Sequence, residues 1–183
     1  KEEGGSIYDI TNEWVASIEP QDSNIIFLPF LNGSNEDPLA KGTFIGLTGY
    51  HSKKHCLRAV YEGIVFSHIT HVNKLLLNRE RPSSIRLSGG AANSDVWVQI
   101  FADALQIPID TIEEKEIGAQ GAAIAAGIAA GIYKDYEEGI KRTVKITNTV
   151  YPRKEYKDIY EEKYKTYSAV IDSLNGSWKH FKN

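Results

Sequence analysis

The residues with the clearest chemical potential lie in Leu87-Ser-Gly-Gly-Ala-Ala-Asn-Ser94. Two adjacent glycines let the main chain turn with positive φ and come into contact with a flat ring or a phosphate, which a Cβ would prevent. A helix follows, and its first N–H groups and partial positive charge favour anions, with Asn93, Ser94 and Asp95 all suitable caps. A nucleotide or anion site is one reading of this segment. A glycine pair that merely turns the chain is the other, and the segment alone leaves both open.

Other reactive side chains read more plainly. His51 and His55 are four apart and His68 and His71 three apart, spacings compatible with a metal, but no cysteine or carboxylate cluster completes a ligand set. We therefore expect no metal site. Glu62 is expected to be a solvated or capping carboxylate rather than a base, and Cys56 an inert small hydrophobe on the core side of its helix. The tyrosines from Tyr151 through Tyr167 are expected to pack a helix. Asn32-Gly-Ser and Asn175-Gly-Ser match a glycosylation triplet, which carries no weight without an export signal.

The glycine turn needs elements to hold it. The pattern predicts a helix from Ile7 to Ile18, a buried strand in Asn24-Ile-Ile-Phe-Leu-Pro29, a turn-rich loop from Leu31 to Lys41, and an extended segment from Gly42 to Leu47. Cys56, Ala59, Val60, Gly63, Ile64, Ser67 and Val72 fall mostly three and four apart, predicting a long amphipathic helix from Ser52 to Leu77. Then come strand Ser84-Ile-Arg-Leu-Ser88, the glycine turn, a helix from Asn93 to Leu105, and a strand from Ile107 to Ile112. The alanine-rich stretch from Ile117 to Gly131 predicts a central helix buried beside the nucleotide-site strand. Tyr156 to Leu174 predicts a peripheral helix. Alternating strands and helices argue an α/β domain with a mostly parallel sheet.

Bulk properties bound the function. The chain of 183 residues carries 21 Lys and Arg against 24 Asp and Glu, so it has no positive excess to hold nucleic acid or an anionic membrane. One cysteine forms no internal disulfide and no export segment opens the sequence, so the cytoplasm is the expected location. No run approaches a membrane span in length. The chain opens at Lys1 almost directly into a predicted helix, and we expect it to be a piece of something longer.

Taken together, the motifs resemble a family. Gly42-Thr-Phe-Ile-Gly-Leu-Thr48 followed by His55-Cys-Leu-Arg-Ala-Val-Tyr-Glu-Gly63 resembles the C-terminal signature of the FGGY carbohydrate kinases, with only Cys56 departing from the usual large aliphatic. Phe27-Leu-Pro-Phe-Leu-Asn-Gly33, with Pro38 and Ala40, resembles the loop that precedes this signature in pentulose (xylulose) kinases. The turn from Ser88 to Ser94, with Trp97, resembles the family's adenosine-binding turn, and Gly118-Ala-Gln-Gly-Ala-Ala-Ile124 the helix backing it. The matches are ordered and cover nearly the whole chain.

The resemblance implies a ribonuclease H-like fold of the actin and hexokinase type, in which two α/β domains close on ATP, magnesium and a sugar. Residues 1–183 would be most of the second, nucleotide-binding domain, with the N-terminal sugar-binding domain absent. By position, Gly46 and Thr48 look like the neighbours of the phosphates, Gly89 and Gly90 like the pair against adenine and ribose, and Ala91 and Ser94 like flanking contacts, with Asn93 able to take the place of Ser94. The resemblance assigns no catalytic residue here, because the expected aspartate lies upstream. The intact protein would phosphorylate a sugar hydroxyl, with a ketopentose such as xylulose as the expected substrate. The isolated chain is expected to be inactive, and to self-associate as a homodimer through apolar surface that its partner domain would cover. Two alternatives stay open: a non-catalytic actin-like domain that senses nucleotide or acts as a scaffold, and an interaction module without nucleotide.

Overall fold

A computed structural model describes residues 6–113 and 116–181; the opening Lys1 lies outside them. Helix α1 (Ile7–Ala16) starts where Ser6 accepts from the Tyr8 N–H and Asp9 accepts from the Ser6 N–H, a reciprocal cap that satisfies two otherwise orphaned donors. Strands β1 (Ile26–Leu28) and β2 (Thr43–Ile45) pair antiparallel, with Ile26 opposite Ile45. Helix α2 (Lys53–Leu76) then lies across β1. Its Gly63 makes that approach possible: a Cβ there would sit 2.2 Å from the Phe27 carbonyl oxygen.

The site-bearing part is a strand-turn-helix-strand unit made of β3 (Ile85–Leu87), α3 (Asp95–Leu105) and β4 (Ile109–Ile112). β3 and β4 run parallel with Ile85 opposite Ile109, the arrangement that a crossover helix permits. Helix α4 (Ile117–Ala129), helix α5 (Tyr136–Thr143) and strand β5 (Ile146–Val150) follow, and β5 adds antiparallel to β4 with an irregularity at Thr111 and Ile112. The sheet order is β3-β4-β5. Helix α6 (Lys157–Leu174) completes the core, in which Val65, Phe66, Ile100, Ile109, Tyr160 and Tyr167 are almost wholly buried.

Several expectations are corrected. The sheets are not mostly parallel: among the described residues only β3 and β4 pair that way, while β1–β2 and β4–β5 are antiparallel. β5 was not expected, because its Ile-Thr-Asn-Thr-Val run is exposed at three of its five positions and so lacks the alternation of a half-buried strand. Nor is α4 central. Only its Ile124 and Gly127 are buried, Ile124 lies outside the main core, and the small residues admit Tyr133 and α5 rather than a strand.

Glu62 is likewise not solvated. It is 2% exposed and bonded to Arg58 Nε at 2.7 Å and to Lys163 of α6. Arg58 further donates to the Ile18 carbonyl and the Tyr160 hydroxyl, both at 2.7 Å, and Lys163 donates to the Pro20 carbonyl at 2.9 Å. Buried charges persist only when paired and hydrogen-bonded, which this cluster achieves by drawing in three segments of the chain. Burial pushes the Tyr160 hydroxyl far above its ordinary value and lowers Lys163. Cys56 is half-buried rather than on the core side. No helix among the described residues is long and apolar enough to cross a membrane.

Candidate functional site

β3 ends at Leu87 and hands the chain to Gly89, whose φ of 82° and ψ of −164° fall in a region reserved in practice for glycine. A single 3₁₀ turn, Gly90–Asn93, closes with the Ala92 N–H donating to the Gly89 carbonyl and the Ser94 N–H to the Ala91 carbonyl. Ser94 then caps α3 by accepting from the Trp97 N–H at 3.2 Å. A Cβ built on Gly89 or Gly90 would meet nothing within 4 Å. The glycine pair is therefore not there to make room for protein atoms; it leaves bare main chain facing open space.

Gly90 opens onto a cleft of about 800 Å³, within the range of small-molecule sites, and Gly89 sets the turn just outside its lining. Gly90, Ala91 and Asn93 form one side, Tyr61 of α2 and Trp97 a second, and Tyr8 and Asn12 of α1 a third. Tyr61 and Trp97 are stacked at 4.2 Å with 25° between their planes, and the Trp97 indole N–H donates to the Tyr61 carbonyl. Among the described residues no Asp, Glu, His, Lys or Arg lines the cleft. An apolar slot with a bare main-chain floor has the shape and polarity that suit a flat ring.

The expected residues divide. Gly89, Gly90, Ala91 and Asn93 come together at the turn, and Asn93 is exposed. Ser94 is buried and its hydroxyl is committed, accepting from Trp97 and donating to Asn12 Oδ1 at 2.7 Å. Gly46 and Thr48 lie on the loop between β2 and α2, outside the lining of this cleft. Gly46 has a φ of 86°, and the Thr48 N–H donates to His51 Nδ1 at 3.0 Å.

The histidine spacings have local causes. His55 Nδ1 accepts from the Ser52 N–H at 3.2 Å and belongs to the α2 cap, while His51 closes the preceding loop. His68 packs its ring on Phe101 of α3 at 5.5 Å. Among the described residues no three His, Cys, Asp or Glu side chains gather in a way that would hold a metal ion.

Residues that the sequence reading missed are on α1. Tyr8 and Asn12 are four apart and so share a helix face, which is a detectable signal, but nothing local says that this face looks toward residues 90–97.

Residues 5–130 match the profile of the FGGY family of carbohydrate kinases, C-terminal domain. The chain belongs to the FGGY family. It is 36% identical over 169 residues to the L-xylulose/3-keto-L-gulonate kinase of Escherichia coli (strain K12), covering 92% of this chain and 34% of that protein. It is 32% identical over 168 residues to the probable L-xylulose kinase of Haemophilus influenzae (strain ATCC 51907 / DSM 11121 / KW20 / Rd), covering 91% of this chain and 34% of that one. The FGGY chain therefore spans about a third of the length of these curated relatives. Among solved structures, the ligand-bound xylulose kinase of Lactobacillus acidophilus superposes with a TM-score of 0.86 at 28% identity, covering 95% of this chain and 36% of that one. The fold is thus that of the actin and hexokinase-like sugar kinases.

Proposed function

We propose that the chain is the nucleotide-binding part of a carbohydrate kinase, and that the cleft beside Gly89 and Gly90 takes the adenine and ribose of ATP or ADP. The observation that carries this is the bare main chain of Gly90, turned by Gly89, facing a cleft of about 800 Å³ that no charged side chain lines among the described residues. Ala91 and Asn93 flank the ring. α2 supports a location for the phosphates: Leu57 and Tyr61 line the cleft, so the helix N-terminus lies about one turn beyond, at the end of the loop that carries Gly46 and Thr48. Main-chain donors and that terminal dipole would meet the phosphate charge there.

In the whole protein the reaction is transfer of the terminal phosphate to a sugar hydroxyl, with a ketopentose of the xylulose type as substrate. The names of the relatives support that substrate class. The group accepting the hydroxyl proton, and most of the sugar site, belong in this reading to parts of the protein outside this chain; among the described residues no acid or base lines the cleft. Phosphoryl transfer depends chiefly on positioning and charge neutralisation, and this chain supplies the first by holding the nucleotide. Among the described residues the cleft offers magnesium no carboxylate; the ion would neutralise phosphate charge and be held chiefly by groups beyond the chain. A cytoplasmic setting, with the solitary Cys56 reduced, belongs to the same reading.

The test is ADP-induced thermal stabilisation. Gly90 does not have a positive φ, so Gly90→Asp is compatible with the fold while its side chain enters the cleft. The unsubstituted chain should gain thermal stability with millimolar ADP, and Gly90→Asp should lose that gain with an almost unchanged melting temperature. A folded unsubstituted chain that ignores ADP, or a Gly90→Asp chain that responds fully, refutes the reading.

A further inference from the structure

Four side chains around the cleft form a closed ring of hydrogen bonds and stacking that links three helices. Asn12 Oδ1 accepts from the Tyr61 hydroxyl at 3.0 Å and from the Ser94 hydroxyl at 2.7 Å, using both lone pairs of one amide oxygen. Ser94 Oγ accepts from the Trp97 N–H, and the Trp97 indole donates to the Tyr61 carbonyl while its ring stacks on Tyr61. Ser94 is the residue at which the glycine turn ends and α3 begins. Whatever fixes its hydroxyl fixes one end of the turn.

Resting on the nucleotide reading above, we propose that Asn12 is a positioning residue for the nucleotide turn, acting through Ser94 to hold residues 89–94 in the shape that receives the ring. Ser94 is 6% exposed and its hydroxyl donates to Asn12 Oδ1, so removing Asn12 takes away the acceptor that fixes the hydroxyl's direction. The turn itself is short of other restraints on its open side, since nothing packs against Gly89 or Gly90 there. Loss of Asn12 therefore loosens the floor of the cleft more than the fold. The nucleotide would have to order that floor on binding, a cost that preorganisation otherwise removes.

The experiment is a double-substitution cycle read by ADP affinity in isothermal titration, with melting temperature as the control for folding. Asn12→Ala and Ser94→Ala should each weaken ADP by about tenfold, and the double variant should be no weaker than the poorer single, because both act at one point. Asn12→Asp keeps an acceptor oxygen where Asn12 Oδ1 stood, and in it the backbone amide resonances of residues 89–94, displaced in Asn12→Ala, should return toward their original positions. If the alanine variant does not fold, Asn12→Ser takes its place. Unchanged ADP affinity in a folded Asn12→Ala chain, or losses that multiply to about a hundredfold in the double variant, would overturn the proposal. If the unsubstituted chain binds no ADP, the nucleotide reading falls on its own, and the resonances still decide about Asn12. Displacement in Asn12→Ala with return in Asn12→Asp upholds its hold on the turn, and spectra indifferent to both substitutions overturn it.

Discussion

Asp103 of α3, with no exposed surface, receives Arg153 three times: from its backbone N–H at 2.7 Å to Oδ1, and from Nε and Nη2 at 3.0 and 2.7 Å to Oδ2. Gln99 adds a fourth bond at 2.9 Å. The pair anchors the site-bearing helix to the chain just before α6. Asp103→Ala removes every one of these bonds; because Arg153 is 42% exposed and is left facing water, the change should cost about 2 kcal/mol, the scale for hydrogen bonds to a charged group. Urea denaturation measures it, and a loss below about 1 kcal/mol would show that solvent already satisfies Arg153.

The contact between Gly63 and Phe27 makes a second prediction. Alanine is ordinarily the better helix former by about 1 kcal/mol. At Gly63 its methyl would overlap the Phe27 carbonyl oxygen, 2.2 Å from the Cβ position, so α2 must lift from β1. Overpacking of this kind costs about 1–3 kcal/mol. Gly63→Ala should therefore lower the denaturation midpoint; a raised midpoint would mean that the strand yields freely.

His68 gives the stability an acid-side slope. Burial beside Phe101, and secondarily the charge of His71, hold its imidazole below the ordinary value of 6.5. As the pH falls through 6.5 the unfolded chain takes up the proton before the folded one, so the contribution is complete above that value and is lost as the pH falls toward the lower folded value. His68→Gln should flatten the dependence of the denaturation midpoint between about pH 7.5 and pH 5.5. An equally steep slope in the variant would assign it to other groups.

The long regular elements were legible because their periodicity is local. α2 and α6 fall within a residue or so of the stretches from Ser52 to Leu77 and from Tyr156 to Leu174, and β3 lies inside Ser84 to Ser88. The turn at Gly89 and Gly90 was legible for the same reason: consecutive glycines between a strand and a capped helix say what the main chain does. α5 and β5 were missed where charge and exposure hid the pattern, although Asp135 capping the Glu138 N–H was a readable start signal. Small side chains in α4 announced close approach without saying to what. Glu62 and Asn12 were out of reach because their meaning lies in partners distant along the chain, Lys163 and Ser94.

The buried cluster of Arg58, Glu62 and Lys163 also sets an order of events. Arg58 and Glu62 are made together, while Lys163, the second cationic partner of the Glu62 carboxylate, arrives with α6, about a hundred positions later. Until then Arg58 and Glu62 have each other and water, and closing α2 over β1 would strand a net deficit of bonds in a dry interior. Nascent chains should therefore stay sensitive to protease around α2 until Lys163 clears the exit tunnel, and then become resistant together as a unit.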